Sequence, residues 1–168
     1  HRDLHSFPTR RSSDLEAAGI PVSVVPGITS AQGMAASLNI SLTHRDHAQR
    51  LSIITGHSRK GEIPETIDWA KAADPFTTTV IYMGSRMAGA IRDAFLSKGL
   101  SASTPVAAIA SISRPDEARW FGTLADVAEG VRTLPEGAPI LIGIGQVFGS
   151  AQAVKAVLEP EARRNFAA

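Results

Sequence analysis

The chain has 168 residues, 43% of them hydrophobic and 20% charged, which supplies the core of one ordinary globular domain and excludes a disordered chain. It has no cysteine, which excludes disulfides, thiolate metal sites and a cysteine nucleophile. The net charge of +1 is too small for a nucleic-acid-binding surface, and no apolar run approaches the roughly 20 residues that span a bilayer, so the expectation is a cytoplasmic protein without nucleic-acid or membrane partners.

Residues 1–15, HRDLHSFPTRRSSDL, show neither helical nor alternating apolar periodicity and run straight into EAAGIPVSVVPG, which is ordinary α/β sequence. They read as an artefactual or disordered leader, translated sequencing adapter joined to a truncated reading frame, with native sequence expected to be lost upstream. Arg2, Arg10 and Arg11 against Asp3 and Asp14 supply the whole net charge, and the remainder carries 14 basic and 14 acidic residues. The expected organisation is a domain over 16–150 and a tail over 151–168.

Val22 to Val25 is a β-branched run closed by Pro26 and Gly27, which predicts a buried strand and a tight turn. Thr29 or Ser30 is a suitable N-cap for a helix over Ala31 to Leu38, with Met34 and Leu38 on one face. Asn39 to Arg50 is polar and predicts a loop, Leu51 to Thr55 a strand, Gly56 to Pro64 a second loop, and Ile67 to Ala73 a short helix ended near Pro75. Thr77 to Met83, TTTVIYM, is the best strand in the chain. Met87 to Leu96 predicts a helix that buries Met87, Ile91, Ala94 and Phe95 and stops at Gly99. Strands follow at Pro105 to Ser111 and Trp120 to Gly122, then a helix at Leu124 to Leu134 and a buried strand at Ala138 to Ile144; Ala151 to Leu158 is a last amphipathic stretch. Strands alternating with helices argue an α/β fold, a sheet flanked by helices.

The chemistry concentrates between Val24 and Gly61. A Pro-Gly turn between strand and helix, PGITSA, brings backbone N–H groups and small hydroxyls to a sheet edge, where open α/β folds bind ligands; the same pattern also arises as mere topology. His44, Arg45, Asp46, His47, Gln49 and Arg50 form a polar cluster, with His57, Arg59 and Lys60 beyond the next strand. A solvated surface loop and a site for a polycarboxylate both fit it, the latter through charge-assisted hydrogen bonds. A metal site is not favoured, because the His spacing follows no zinc pattern. Met83-Gly84 offers a flat apolar surface for an adenine ring, although a Met there usually packs the core. GIGQVFG, Gly143 to Gly149, has the wrong spacing for a dinucleotide fingerprint.

VVPGITSAQGMAAS, SLTHRDHAQR, ITGH, DWAKAADPFTTTVIYMG, TPVA, GTLADV and ILIGIGQV, in that order, resemble the uroporphyrinogen-III C-methyltransferases of the tetrapyrrole methylase family, from Glu16 to about Gly149. The resemblance implies the C-terminal α/β domain of that fold, with a mixed sheet and the N-terminal domain largely missing. It implies an enzyme that takes methyl groups from S-adenosylmethionine and methylates uroporphyrinogen III at two ring carbons to give precorrin-2, toward sirohaem and cobalamin. A homodimer is implied for the intact enzyme.

By position, Thr29 and Ser30 match the cofactor-lining Thr-Ala pair, with Ser for Ala, and Met83 matches the cofactor-contacting methionine. The family's Glu-Asn-Gly-Thr falls on Ala110, Ser111, Ile112 and Ser113, so Ile112 stands where the family has a cofactor-contacting Gly and keeps at most a backbone contact. Thr43, His44, Arg45 and Asp46 fall beside the tetrapyrrole, whose eight carboxylates suit the polar cluster. The family's catalytic residues lie in its N-terminal domain, so no catalytic residue is assigned and the fragment is expected to be feeble or inactive alone. Two alternatives remain open: a methyltransferase acting on a later precorrin, and a non-catalytic ligand-binding or interaction domain.

Overall fold

The computed structural model describes residues 8–57, 62–64 and 66–150. Its elements are α1 (Pro8–Ala17), α2 (Ser30–Leu38), β1 (Arg50–Thr55), α3 (Trp69–Ala72), β2 (Thr77–Tyr82), α4 (Ala88–Ser97), β3 (Pro105–Ala110), β4 (Ala118–Thr123), α5 (Val127–Arg132) and β5 (Ile140–Ile144), with a 3₁₀ turn at Ser85–Met87. Arg59, Lys60 and the amphipathic stretch after Ser150 lie outside the described residues.

The five strands form one mixed sheet in the order β1-β2-β5-β3-β4. β1 and β2 are parallel, joined by a crossover that contains α3, and every other neighbouring pair is antiparallel. Side chains alternate across the sheet, as the period of two requires. Ile81, Val106, Ala108, Ala110, Ile142 and Ile144 face α3, α4 and α5, where Ile91, Phe95, Val127 and Val131 complete one buried cluster. Val80, Ala107, Ile109 and Leu141 face the other way, onto Ala31, Met34 and Leu38 of α2 and onto Val147 and Phe148. The sheet is therefore the middle of three layers.

Glycines set two of the close approaches. A Cβ on Gly130 of α5 would stand 2.0 Å from Cε2 of Trp120, so the missing side chain lets the indole lie against the helix. Gly143 of β5 does the same for the Phe148 ring, 2.2 Å from where its Cβ would be. GIGQVFG is thus a packing motif here, with Gly143 seating Phe148.

One unexpected element appears and one expected strand is missing. The segment before residue 15 is helical from Pro8, and the helix continues to Ala17. Proline fits a first helical turn, where its missing N–H has no partner to lose. Val22 to Val25 is not a strand: no ladder partner meets it among the described residues, and Val24 and Val25 are 77% and 84% exposed. β-branched composition gives strand propensity, but a strand exists only with a neighbour to pair with. The Trp120 strand is longer than expected, while the α3 and α5 helices are shorter. No helix among the described residues is long and apolar enough to cross a membrane.

Candidate functional site

The parallel strands β1 and β2 end side by side. A Cβ on Gly56 would come within 2.8 Å of the Gly84 Cα, so the two departing chains touch backbone to backbone and a larger residue at 56 would part them. Met83, the residue before Gly84, is left-handed at φ 54 and half-exposed. The core-packing role usual for a methionine after a buried strand does not hold here.

One residue earlier, Tyr82 turns the opposite way, packs against the α2 cluster and accepts the Ala31 N–H on its hydroxyl at 2.9 Å. That bond satisfies one of the N–H groups a helix start leaves unpaired. Thr29 is the N-cap, and its own N–H donates to Gln32 Oε1 at 3.1 Å, half of a capping box. The first turn of α2 is thereby fixed to the end of β2, with Thr29 and Ser30 exposed.

The β3–β4 loop approaches the same helix from another side. Ile112 Cγ2 lies 2.9 Å from where a Gly33 Cβ would be, and Ser113 Oγ at 3.3 Å. The Ile112 side chain is therefore partly buried against α2. The loop is held by Glu117, whose Oε2 accepts the Ser113 N–H at 2.8 Å and whose Oε1 accepts the Ser37 hydroxyl at 2.6 Å and the Arg119 Nε–H at 2.7 Å. Burial pushes this carboxyl up, but the Ser37, Ser113 and Arg119 donors outweigh it and hold it below the usual glutamate value. Thr29, Ser30 and Ile112 thus meet at the first half of one helix, and Met83 follows in the chain directly after the Tyr82 that is bonded to it.

Thr43 to Asp46 belongs to the loop that follows the left-handed cap of α2 at Asn39. His44 and Ala48 exchange backbone hydrogen bonds at 2.8 and 3.0 Å, closing a tight turn whose base, Leu42 and Ala48, is buried in the α2 cluster. Asp46 N–H donates to His44 Nδ1 at 3.1 Å, which turns the Nε2 side of the ring away from the turn backbone. The His44 and His47 rings stack at 4.6 Å, and Gln49 Nε2 donates to the Arg45 carbonyl at 3.2 Å. Thr43, His44, Arg45, Ala48 and Gln49 line an open depression of about 390 Å³. Among the described residues no three His, Asp or Glu side chains gather in a way that would hold a metal ion.

Sequence reasoning missed three residues of this arrangement: Gly56, Tyr82 and Glu117. Only Tyr82 carried a signal, since a tyrosine near the end of a buried strand needs a partner for its hydroxyl. Glu117 looks like any charge in a polar loop.

The profile of the family described as Tetrapyrrole (Corrin/Porphyrin) Methylases matches residues 10–128. The uroporphyrinogen-III C-methyltransferase of Paracoccus denitrificans is 42% identical over 135 residues, covering 80% of this chain and 47% of that protein. Siroheme synthase 1 of Aeromonas hydrophila is 47% identical over 133 residues, covering 79% of this chain and 28% of that one. The chain therefore spans less than half the length of either relative. Among solved structures, the uroporphyrin-III C-methyl transferase of Thermus thermophilus complexed with S-adenosylhomocysteine superposes with a TM-score of 0.68 at 28% identity, covering 86% of this chain and 62% of that one.

Proposed function

Because this chain belongs to the tetrapyrrole methylase family, we propose that it forms one wall of an S-adenosylmethionine-dependent C-methyltransferase acting on uroporphyrinogen III and yielding precorrin-2. The observation that supports the reading is the packing of the Ile112 loop beside Thr29 and Ser30 on the first half of α2, where the Tyr82–Ala31 bond ties the helix start to the residue preceding Met83. These groups fit an adenosyl thioether: a half-exposed methionine for the flat base, and exposed hydroxyls with a helix start for the polar portions.

S-adenosylmethionine, when bound, supplies a methyl group on a positive sulfur. The residues of this chain align rather than activate. Thr29, Ser30 and Met83 bind and orient the donor, while Arg45 and the His44 Nε2–H take carboxylates at the rim of the macrocycle. Anchoring both groups to one helix through the same buried cluster holds donor and acceptor in register. Proton transfer is assigned to no residue of this chain. Pairing of two copies belongs to the same reading of the intact enzyme.

The test is transfer of labelled methyl from S-adenosylmethionine to uroporphyrinogen III. It is run with the chain alone and with the chain joined to the preceding half of the Paracoccus relative. Incorporation of two methyls by the joined protein supports the proposal. No incorporation, with S-adenosylhomocysteine failing to bind either protein, sinks it.

A further inference from the structure

The β3–β4 loop carries an arrangement that the proposed reaction does not by itself explain. Ser111 and Ser113, on either side of Ile112, are both left-handed, at φ 52 and φ 63, and neither is glycine. Such backbone persists only where its surroundings over-determine it. Here Ser111 donates its N–H to the Pro139 carbonyl and its hydroxyl to Asp116 Oδ2, each at 3.0 Å. Those contacts hold the loop to itself and to the start of β5. Glu117 alone, among the hydrogen bonds described, ties the loop to α2, by accepting from Ser113 and Ser37 together.

That bridge spans the place where helix and loop pack most closely, Gly33 against Ile112. The carboxylate is well shielded, its side chain 12% exposed, and Arg119 supplies the compensating charge from β4. We propose that Glu117 is a positioning residue of the cofactor site: it fixes the Ser111–Ser113 backbone against α2 and so sets the spacing between that backbone and the Thr29–Ala31 turn. The inference rests on the cofactor reading above and adds to it a residue that touches no ligand.

The experiment uses this chain, with S-adenosylhomocysteine as the probe. Calorimetry gives its affinity, and ¹⁵N amide spectra with hydrogen exchange report the loop. Glu117→Ala should speed exchange at Ser113, move the amides of Thr29 to Gly33 and weaken binding about tenfold or more, the loss of charged hydrogen bonds at one carboxylate. Glu117→Gln, which keeps one acceptor, should fall between, and Ser37→Ala should reproduce the helix side of the effect if Glu117→Ala fails to fold. Val131→Ala, in the opposite cluster, serves as the control that lowers thermal stability without moving affinity.

A Glu117→Ala protein that loses stability like Val131→Ala but keeps its affinity overturns the inference. So does one whose Ser113 and α2 amides do not move. The same titrations are run on the chain joined to the preceding half of the Paracoccus relative: if neither unaltered protein binds S-adenosylhomocysteine, the cofactor reading falls and takes the ligand role of Glu117 with it, whereas a Kd unchanged by Glu117→Ala in the protein that binds removes this inference alone.

Discussion

The Tyr82 hydroxyl accepts the Ala31 N–H at 2.9 Å across 51 residues of chain, joining the end of a central strand to the first turn of the helix that covers it. Tyr82→Phe removes that acceptor and nothing else of size. A half-buried N–H left without its partner costs about 1–2 kcal/mol, to be read in urea unfolding. If the α2 start holds the methyl donor, S-adenosylhomocysteine affinity falls with it. A Phe variant of unchanged stability would show that water replaces the hydroxyl freely.

Gly33 makes the sign of a helix substitution depend on a residue 79 positions away. Gly to Ala inside a helix normally gains about 1 kcal/mol. Here the new methyl would meet Ile112 Cγ2 at 2.9 Å, and a β-branched side chain wedged on a helix has little freedom to give way. Gly33→Ala is therefore expected to destabilise the chain. In an Ile112→Ala background the same change should turn stabilising, and the double-mutant cycle measures the coupling. Additive effects would show that the two elements can slide apart.

The packed layers were legible and the ligand-facing parts were not, for a physical reason. Leu124, Val127, Val131 and Leu134 announce themselves by helical spacing and all four are buried; Ile91 and Phe95 do likewise. Val22 to Val25 has the same apolar character and no partner strand, so composition alone misread it. The meeting of Tyr82 and Ile112 at α2 depends on strand order, which places sequence-distant segments at one helix, and no local pattern encodes that. The family resemblance named Thr29, Met83 and Ile112 as candidates, but it did not name Glu117, because what matters there is which donors the fold brings to a carboxylate.

Glu117 also sets an acid limb. Its folded pKa lies below the usual value, so the stability it contributes is fully present above the unfolded-state pKa and is lost as pH falls through the folded one. Asp74, held down by the Phe76 N–H and by Arg50, acts in the same direction from the β1–β2 end of the sheet, as an exposed pair of smaller effect. Thermal unfolding should therefore shift to lower temperature as pH drops through and below the carboxylate range, and Glu117→Gln should flatten that decline. An unaltered slope in the Gln variant would mean that other carboxylates govern it.

Val24, Val25 and Ile28 are 77%, 84% and 85% exposed within five residues, a dense apolar surface for a protein in water. Sedimentation velocity of the chain should show concentration-dependent self-association. Changing all three residues to Ser should reduce it and leave the unfolding transition in place, since none contributes to either buried cluster. A chain that is monomeric at every concentration, before and after substitution, would refute this.

The Thr43–Asp46 turn offers the most direct check on the substrate side. Arg45 supplies a fixed positive charge at the open depression, and His44, with Nδ1 facing the Asp46 N–H, presents its Nε2 side to it as a donor. A macrocycle bearing several carboxylates should bind there with an affinity that falls as salt rises, because exposed charges are screened within about 10 Å at 0.1 M ionic strength. Arg45→Ala should weaken binding about tenfold and flatten the salt dependence, the loss of one charge-assisted pair. His44→Ala should also weaken binding, through the loss of a hydrogen-bond donor at the same depression. Fluorescence titration with uroporphyrin separates the two outcomes, and equal salt slopes in the unaltered and Arg45→Ala chains would show that the carboxylates are held elsewhere.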